Sequence, residues 1–169
     1  MKKLIKVILG VLLIPIIALL IFNLFAVRSI KTEIVIDTPA EKVWVILMNH
    51  QAYPEWNPFI KKISGSTQVG GELAATIQSE GNDPMDFTPT VLVNDKNEEF
   101  RWVGKLGLKG IFDGEHYFTL EQIGPDQTKF IHGENFTGLF SGLLLKMILE
   151  DTEAGFNSMN EALKSLSEN

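Results

Sequence analysis

Apolar and polar side chains alternate most regularly between Phe112 and Phe136. Alternation with a period of two is typical of a strand with one buried face, and the turn-forming residues 123–127 divide the run into two strands. A five-residue loop then fixes which residues face each other across the hairpin. The predicted pairs are Leu120 with Phe130, Phe118 with His132, and His116 with Glu134. Two histidines and a carboxylate therefore lie on an apolar face, where each needs a partner, water or a ligand.

Similar patterns predict the rest of the chain. A first strand is expected over Arg28–Asp37, and a helix follows it, with Thr38 as its cap and Glu41 completing a capping box. Short strands are expected at Ile60–Thr67, Gly71–Ser79, Phe87–Asn94 and Glu99–Leu106. A long helix is predicted over Leu139–Ser167, and Gly155 inside it indicates close packing or a bend. Its predicted buried face comprises Phe140, Leu144, Met147, Ile148, Met159, Leu163 and Leu166.

Together these elements predict an α+β helix-grip fold. An antiparallel sheet of about six to seven strands can bury one face by curving around a single long amphipathic helix. Such an arrangement commonly leaves a cavity between the helix and the sheet.

The first 27 residues differ from the remainder. Residues 7–27 contain no charge, and a helix of that length rises on the order of 30 Å, which matches the hydrocarbon core of a bilayer. We predict an uncleaved transmembrane anchor at residues 1–27, followed by a ligand-binding domain at residues 28–169. A cleaved signal peptide is the alternative, although the apolar run is long for one and no small-residue cleavage pattern follows. Lys2, Lys3 and Lys6 favour a cytoplasmic N-terminus and an extracytoplasmic domain in a single-pass membrane protein.

Charge and composition exclude several functions. After residue 27 the chain carries 12 Lys and Arg against 21 Asp and Glu, a formal charge of −9. Such an acidic domain is repelled by phosphate backbones, so we expect no nucleic-acid partner. The absence of cysteine excludes disulfides and thiol catalysis, and no serine lies in a nucleophile-elbow pattern.

Several short runs resemble one known family. They are Tyr53–Phe59, Arg101–Gly104, Gly114–Phe118, His132–Phe136 with Gly138, and Gly155–Phe156 with Met159–Asn160. They are similar to the START/polyketide-cyclase helix-grip superfamily (SRPBCC), and to its bacterial "polyketide cyclase/dehydrase and lipid transport" branch. The resemblance covers about residues 28–167. It implies an internal hydrophobic cavity for lipids, sterols, quinones, polyketides or aromatics, enzymatic activity in only some members, and no cofactor.

The candidate catalytic residues are His116, His132 and Glu134. A carboxylate beside a histidine can orient a general base, anchor the polar end of a ligand, or simply complete a structural network. Two histidines and a glutamate could also bind a metal, but their spacing matches no known metal motif, so we predict no metal site.

The predicted ligand-binding residues are the aromatic and polar side chains expected to face the cavity. They are Trp56, Phe59, Trp102, Phe112, His116, Phe118, His132, Glu134, Phe136, Phe140 and Leu144. By the resemblance, Trp56 to Phe59 would form a loop that gates the pocket, and plain packing of a turn is the alternative.

Three functions remain open from the sequence. The first is a membrane-tethered domain that binds an apolar small molecule or lipid in an internal cavity. The second is a cyclase or dehydratase type of enzyme with His116 or His132 as acid or base. The third is a structural envelope protein without a ligand. The oligomeric state is left open.

Overall fold

A computed structural model describes residues 13, 14, 16–18 and 20–169. The described residues between 13 and 25 are helical and form the N-terminal segment. Among the described residues, no helix is both long and apolar enough to cross a membrane. The predicted anchor over residues 7–27 lies partly outside them and stays a prediction.

The ordered elements follow the predicted sequence of strands and helices closely. They are β1 (Arg28–Ile36), α1 (Ala40–Met48), a 3₁₀ turn (His50–Ala52), α2 (Tyr53–Trp56), β2 (Ile60–Gly65), β3 (Leu73–Ile77), β4 (Met85–Phe87), β5 (Thr90–Asp95), β6 (Glu99–Lys105), β7 (Asp113–Gly124), β8 (Gln127–Thr137) and α3 (Ser141–Glu168).

The strands form two antiparallel sheets. Five strands follow the order β1-β8-β7-β6-β5, and three follow the order β2-β3-β4. The backbone joins the sheets where Leu73 donates to the Pro89 carbonyl and Val91 donates to the Gly71 carbonyl. The single strand predicted over Phe87–Asn94 is instead two strands, because Pro89, between β4 and β5, cannot donate a ladder hydrogen bond.

The hairpin formed by β7 and β8 has the predicted register. Leu120 faces Phe130, Phe118 faces His132, and His116 faces Glu134 across β7 and β8. The alternation therefore placed both histidines on the inner face, where the core lies between the five-stranded sheet, α1 and α3.

The predicted capping box on α1 is wrong. Pro39 is the N-cap residue of α1, and it makes no side-chain capping hydrogen bond. The Thr38 hydroxyl donates instead to the carbonyl of Ser167 in α3, and Gln122 of β7 accepts the amide hydrogen of Ala40 at 2.8 Å. A side chain from the distant strand β7 thus accepts an amide hydrogen at the start of α1, which the local capping box was expected to do.

The buried face of α3 also differs from the predicted one. Met159 and Leu163 are buried as expected, but Met147 is 73% exposed and Leu166 is 42% exposed. The buried residues of α3 are Ser141, Leu145, Thr152, Phe156, Met159, Asn160, Leu163 and Ser167. Half of this face is polar, which is why an apolar period of 3.6 located it incorrectly.

Gly155 marks a close approach, as predicted. A Cβ at this position would lie 2.3 Å from Cδ2 of Phe59, a buried ring that follows α2. Phe59 also packs edge-on against Phe156, with ring centroids 5.4 Å apart. The glycine therefore allows Phe59 to lie directly against the α3 backbone.

Replacing Gly155 by alanine tests this contact. Alanine ordinarily stabilises a helix interior by about 1 kcal/mol relative to glycine. Here overlap with Phe59 should reverse the sign, lowering the free energy of unfolding by about 1–3 kcal/mol in a denaturant titration of the full chain.

The matched control is Gly155→Ala combined with Phe59→Leu, compared with Phe59→Leu alone. With the ring gone, the alanine should no longer destabilise. A Gly155→Ala variant as stable as the parent protein would contradict the contact.

Candidate functional site

Two histidines that are hydrogen-bonded to each other lie at the centre of the inner face of the sheet. His116 on β7 and His132 on β8 place their Nε2 atoms 3.0 Å apart. The rings are 2% and 0% exposed, so bulk water does not reach them. Burial lowers the pKa of His116 to about 3, and it lowers that of His132 well below the usual value with a further contribution from His116. Both rings are therefore neutral at pH 7.

Polar residues of α3 and β1 complete the network. His132 Nδ1 lies 3.0 Å from Oδ1 of Asn160, and the Asn160 amide donates to the Thr32 hydroxyl at 2.8 Å. Thr32 in turn donates to the backbone carbonyl of His132. The network therefore ties the last helix to two neighbouring strands.

These contacts assign the protons of both rings. Because Asn160 donates to Thr32 through its amide nitrogen, its oxygen faces His132, and Nδ1 of His132 must carry a hydrogen. A neutral His132 then accepts at Nε2, so His116 donates from its Nε2. His116 is left with a bare lone pair at Nδ1, and that atom faces Glu134 at 3.6 Å.

Glu134 is the partly exposed end of this chain of polar groups. Burial raises the pKa of its carboxyl group to about 8, while 19% of the side chain stays accessible to solvent. An ionised carboxylate would face the bare lone pair of His116 and be repelled, whereas a carboxylic acid can donate to it. The proton assignment and the pKa direction therefore agree on an uncharged Glu134 at pH 7.

Gly114 makes room for this acid. A Cβ on Gly114 would lie 2.1 Å from Oε1 of Glu134. Any larger residue at this position of β7 would displace the carboxyl group. The glycine is thus part of the site.

Aromatic rings fill the space around the histidines. Trp102 stacks on His116 with centroids 4.4 Å apart, and Phe156 stacks on His132 at 3.7 Å. Phe118 lies 4.7 Å from His132. The histidines are consequently enclosed by side chains, and a ligand would contact them only after these rings move.

The other predicted ligand-binding residues lie in different surroundings. Phe112 stacks on Phe136 at 5.2 Å, and Phe136 is close to Gly114 beside the Glu134 carboxyl. Leu144 is half-buried and Phe140 is 46% exposed at the start of α3. The buried Phe59 ring lies 6.5 Å from that of His132, whereas Trp56 packs edge-on against Tyr53 with ring centroids 5.1 Å apart.

Two surface grooves of substantial size do not touch His116, His132 or Glu134. One, of about 830 Å³, lies between the start of α1 and the turns after β5 and β7. The other, of about 530 Å³, lies between α3 and the β3–β4 loop, with Gly155 in its wall. Among the described residues, no three His, Asp or Glu side chains are grouped so as to hold a metal ion.

Sequence reasoning assigned no role to Asn160, Phe156 or Thr32. Phe156 and Asn160 did fall in a run that carried the family resemblance, so a polar residue on the expected inner face of α3 was the available signal. Near α2, Trp56 Nε1 and Asn57 Nδ2 are buried without a protein partner. The Asn57 oxygen accepts the amide hydrogens of Phe59 and Ile60, which positions the Phe59 ring.

The curved sheet, the long last helix and the polar groups between them define a helix-grip protein. The family model for polyketide cyclase/dehydrase and lipid transport matches residues 27–168, and the chain belongs to that family. A comparison with curated proteins gives no match.

Solved structures with this fold include an aromatase/cyclase from a Streptomyces species, with a TM-score of 0.68, 13% identity, and coverage of 85% of this chain and 94% of that one. Norcoclaurine synthase from Thalictrum flavum, solved with dopamine and hydroxybenzaldehyde, has a TM-score of 0.65 and 16% identity. The match covers 86% of this chain and 90% of that one. A Mesorhizobium loti protein has a TM-score of 0.63 and 19% identity, and the match covers 82% of this chain and 96% of that one. At these identities the likeness establishes the fold alone.

The buried groups predict a pH optimum of stability. As pH falls below 6.5, the unfolded histidines take up protons that His116 and His132 cannot, so the free energy of unfolding should fall. Between pH 6.5 and about 8, Glu134 is protonated in the folded protein but not in the unfolded chain, so the free energy of unfolding should fall again, by about 1.4 kcal/mol per pH unit.

Chemical denaturation of Glu134→Gln across this range isolates the second effect. The variant should lose the decline between pH 6.5 and 8, because glutamine has no proton to release. Glu121→Gln, an exposed change on the neighbouring strand β7, should retain it. Parallel declines in the parent protein and Glu134→Gln would show that Glu134 is already ionised in the folded state.

Proposed function

We propose that the protein is a membrane-tethered module that binds an apolar, lipid-like molecule at the inner face of its sheet. In this proposal Glu134 hydrogen-bonds the uncharged polar end of the ligand. Membership of the family and the helix-grip fold support ligand binding in general.

The observation that carries the proposal is a partly accessible carboxyl group among aromatic rings, 3.6 Å from Nδ1 of the buried His116. Glu134 retains 19% exposure while its pKa is raised to about 8. Ligand pockets are mostly apolar with a few polar groups that fix orientation, and a neutral acid can serve as one without the desolvation cost of a charge. Phe136 beside it, with Phe112 stacked on that ring, provides apolar contact.

The histidines act one layer behind the ligand. They are enclosed by Trp102, Phe118 and Phe156, so they do not meet the ligand directly in this arrangement. Their contribution is to present a lone pair to Glu134 and thereby favour its protonated form. Of the candidate polar residues, Glu134 is therefore the one proposed to touch the ligand.

Apolar burial supplies the affinity in this proposal. Transfer of ligand surface out of water contributes about 25 cal/mol per Å², reduced by the cost of association. A tether at residues 7–27 would keep the domain beside the bilayer, where such ligands partition. We place the domain on the extracytoplasmic side, as the lysines near the N-terminus favour.

An enzyme of the cyclase or dehydratase type is the second candidate. The two hydrogen-bonded histidines lead to the accessible acid Glu134 across a gap of 3.6 Å, and a proton relay in such an enzyme would require this gap to close. The acid in such an enzyme would be Glu134 rather than His116 or His132. A carrier and an enzyme differ in whether a bound molecule is chemically altered.

Ligand binding should depend on the uncharged state of Glu134. Detergent-purified full-length protein should co-purify with an apolar molecule detectable by mass spectrometry after organic extraction, and it should bind members of a fluorescent neutral-lipid panel. Affinity should fall as pH rises through about 8, when Glu134 ionises. Glu134→Gln should keep its affinity over this range.

The hydrogen bond itself is tested by Glu134→Ala. Loss of about 1 kcal/mol of hydrogen bonding should weaken binding by fivefold to tenfold, measured by fluorescence titration. Glu121→Gln is the control and should match the parent protein. No co-purified molecule and no binding to any panel lipid would overturn the carrier proposal, whereas a chemically altered ligand would favour the enzyme.

A further inference from the structure

Large apolar side chains are exposed together at one end of the domain. We call this surface the apolar rim, formed by Leu106, Leu108, Phe140, Leu143 and Met147. Their exposed fractions range from 46% for Phe140 to 78% for Leu108. Large contiguous apolar patches on a protein surface usually mark a site that binds a protein, a membrane or a ligand.

Backbone hydrogen bonds hold the two halves of the rim together. The amides of Leu139 and Phe140 donate to the carbonyls of Gly110 and Ile111, at 2.9 and 3.0 Å. The loop after β6 is thereby fixed against the start of α3. The two parts of the apolar rim are therefore held together as one surface by backbone hydrogen bonds.

The N-terminal segment ends at this same rim. A Cβ on Gly110 would lie 3.6 Å from Cδ1 of Leu24. Arg28 joins the segment to α3, because it donates to Asn23 at 3.0 Å and to the Ser141 hydroxyl at 2.7 Å. The exposed apolar surface of the segment thus continues into the rim.

The charge of this end is opposite to that of the domain. Residues 105–111 and 138–149 include Lys105, Lys109 and Lys146 and no acidic residue, although the domain as a whole is strongly acidic. All three lysines are exposed. At the other end of β6 and β7, the charged side chains that line the groove at the start of α1 are Lys96 and five acidic residues. The acidic residues are Glu41, Asp95, Glu98, Glu99 and Glu121.

We propose that the apolar rim inserts into the interfacial layer of an anionic lipid bilayer, with the three lysines contacting its head groups. Apolar side chains flanked by basic ones are the usual composition of a surface that lies in this layer. A second copy of the chain is the less suitable occupant, because a symmetric contact would bring equivalent lysines together.

This inference rests on the proposed function and refines it. Glu134 lies on β8, which ends at Thr137, immediately before the turn that leads to Phe140. A docked rim would therefore orient the Glu134 end of the sheet toward the bilayer, and an apolar ligand could transfer without crossing bulk water.

The absence of cysteine allows a direct test with single-cysteine variants. Leu108→Cys and Met147→Cys, each labelled with an environment-sensitive fluorophore, sample the rim. Asp126→Cys, in the exposed turn between β7 and β8, is the matched control at the far end. Ile17→Cys samples the N-terminal segment. Each full-length variant is reconstituted into phosphatidylcholine–phosphatidylglycerol vesicles, with or without phospholipids brominated in their acyl chains.

We expect the brominated lipid to quench the labels at Leu108 and Met147 by at least about half, because an interfacial side chain lies within reach of the acyl chains. Asp126 should be unaffected. Quenching should increase with the phosphatidylglycerol fraction, and a triple Lys105, Lys109 and Lys146→Gln variant should lose that dependence.

The outcomes separate the rim from the tether. Quenching at Ile17 without quenching at Leu108 and Met147 would overturn the rim proposal and leave the tether intact. No quenching at any of the three would overturn both. A rim label that changes with protein density but not with brominated lipid would assign the surface to a second copy, which also overturns the proposal. Ligand extraction from the same preparations reports independently on binding.

Discussion

The hydrogen bond between two buried, uncharged histidines is the constraint on which the site depends. Because neither His116 nor His132 can be protonated without charging the core, each ring has one nitrogen that can donate and one that can only accept. Asn160 on α3 accepts a hydrogen from Nδ1 of His132, so Nε2 of His132 must accept the hydrogen that His116 donates. The direction of this donation then determines what Glu134 meets at the end of the chain, which is a lone pair and not a hydrogen.

This arrangement also links the fold to the site. The same network that assigns the proton of Glu134 connects α3 to β1, β7 and β8, so the helix is held against the sheet by polar groups as well as apolar ones. Buried polar networks of this kind specify one arrangement when every member is satisfied. Gly114 and Gly155 contribute by leaving room for the Glu134 carboxyl and for Phe59, respectively.

The sequence was most informative where a short-range rule applied. Period-two alternation and a turn were enough to pair His116 with Glu134, and Gly155 correctly indicated close packing. The α3 face was misassigned because Thr152, Asn160 and Ser167 point inward while apolar residues of its first half point outward. The contacts of Asn160 and Phe156 with His132 could not be inferred, since they depend on how α3 meets the distant strands. The Thr38 cap failed for the same reason.

The central claim is that Glu134 is a carboxylic acid at neutral pH. The most direct measurement is a pH titration of its side-chain carboxyl carbon by NMR in selectively labelled, full-length protein, with Glu134→Gln to identify the signal. An uncharged Glu134 should titrate with a midpoint near pH 8. A midpoint near the ordinary value of 4.5 would show that the carboxyl group is ionised beside His116, and it would contradict the proton assignment of the whole network.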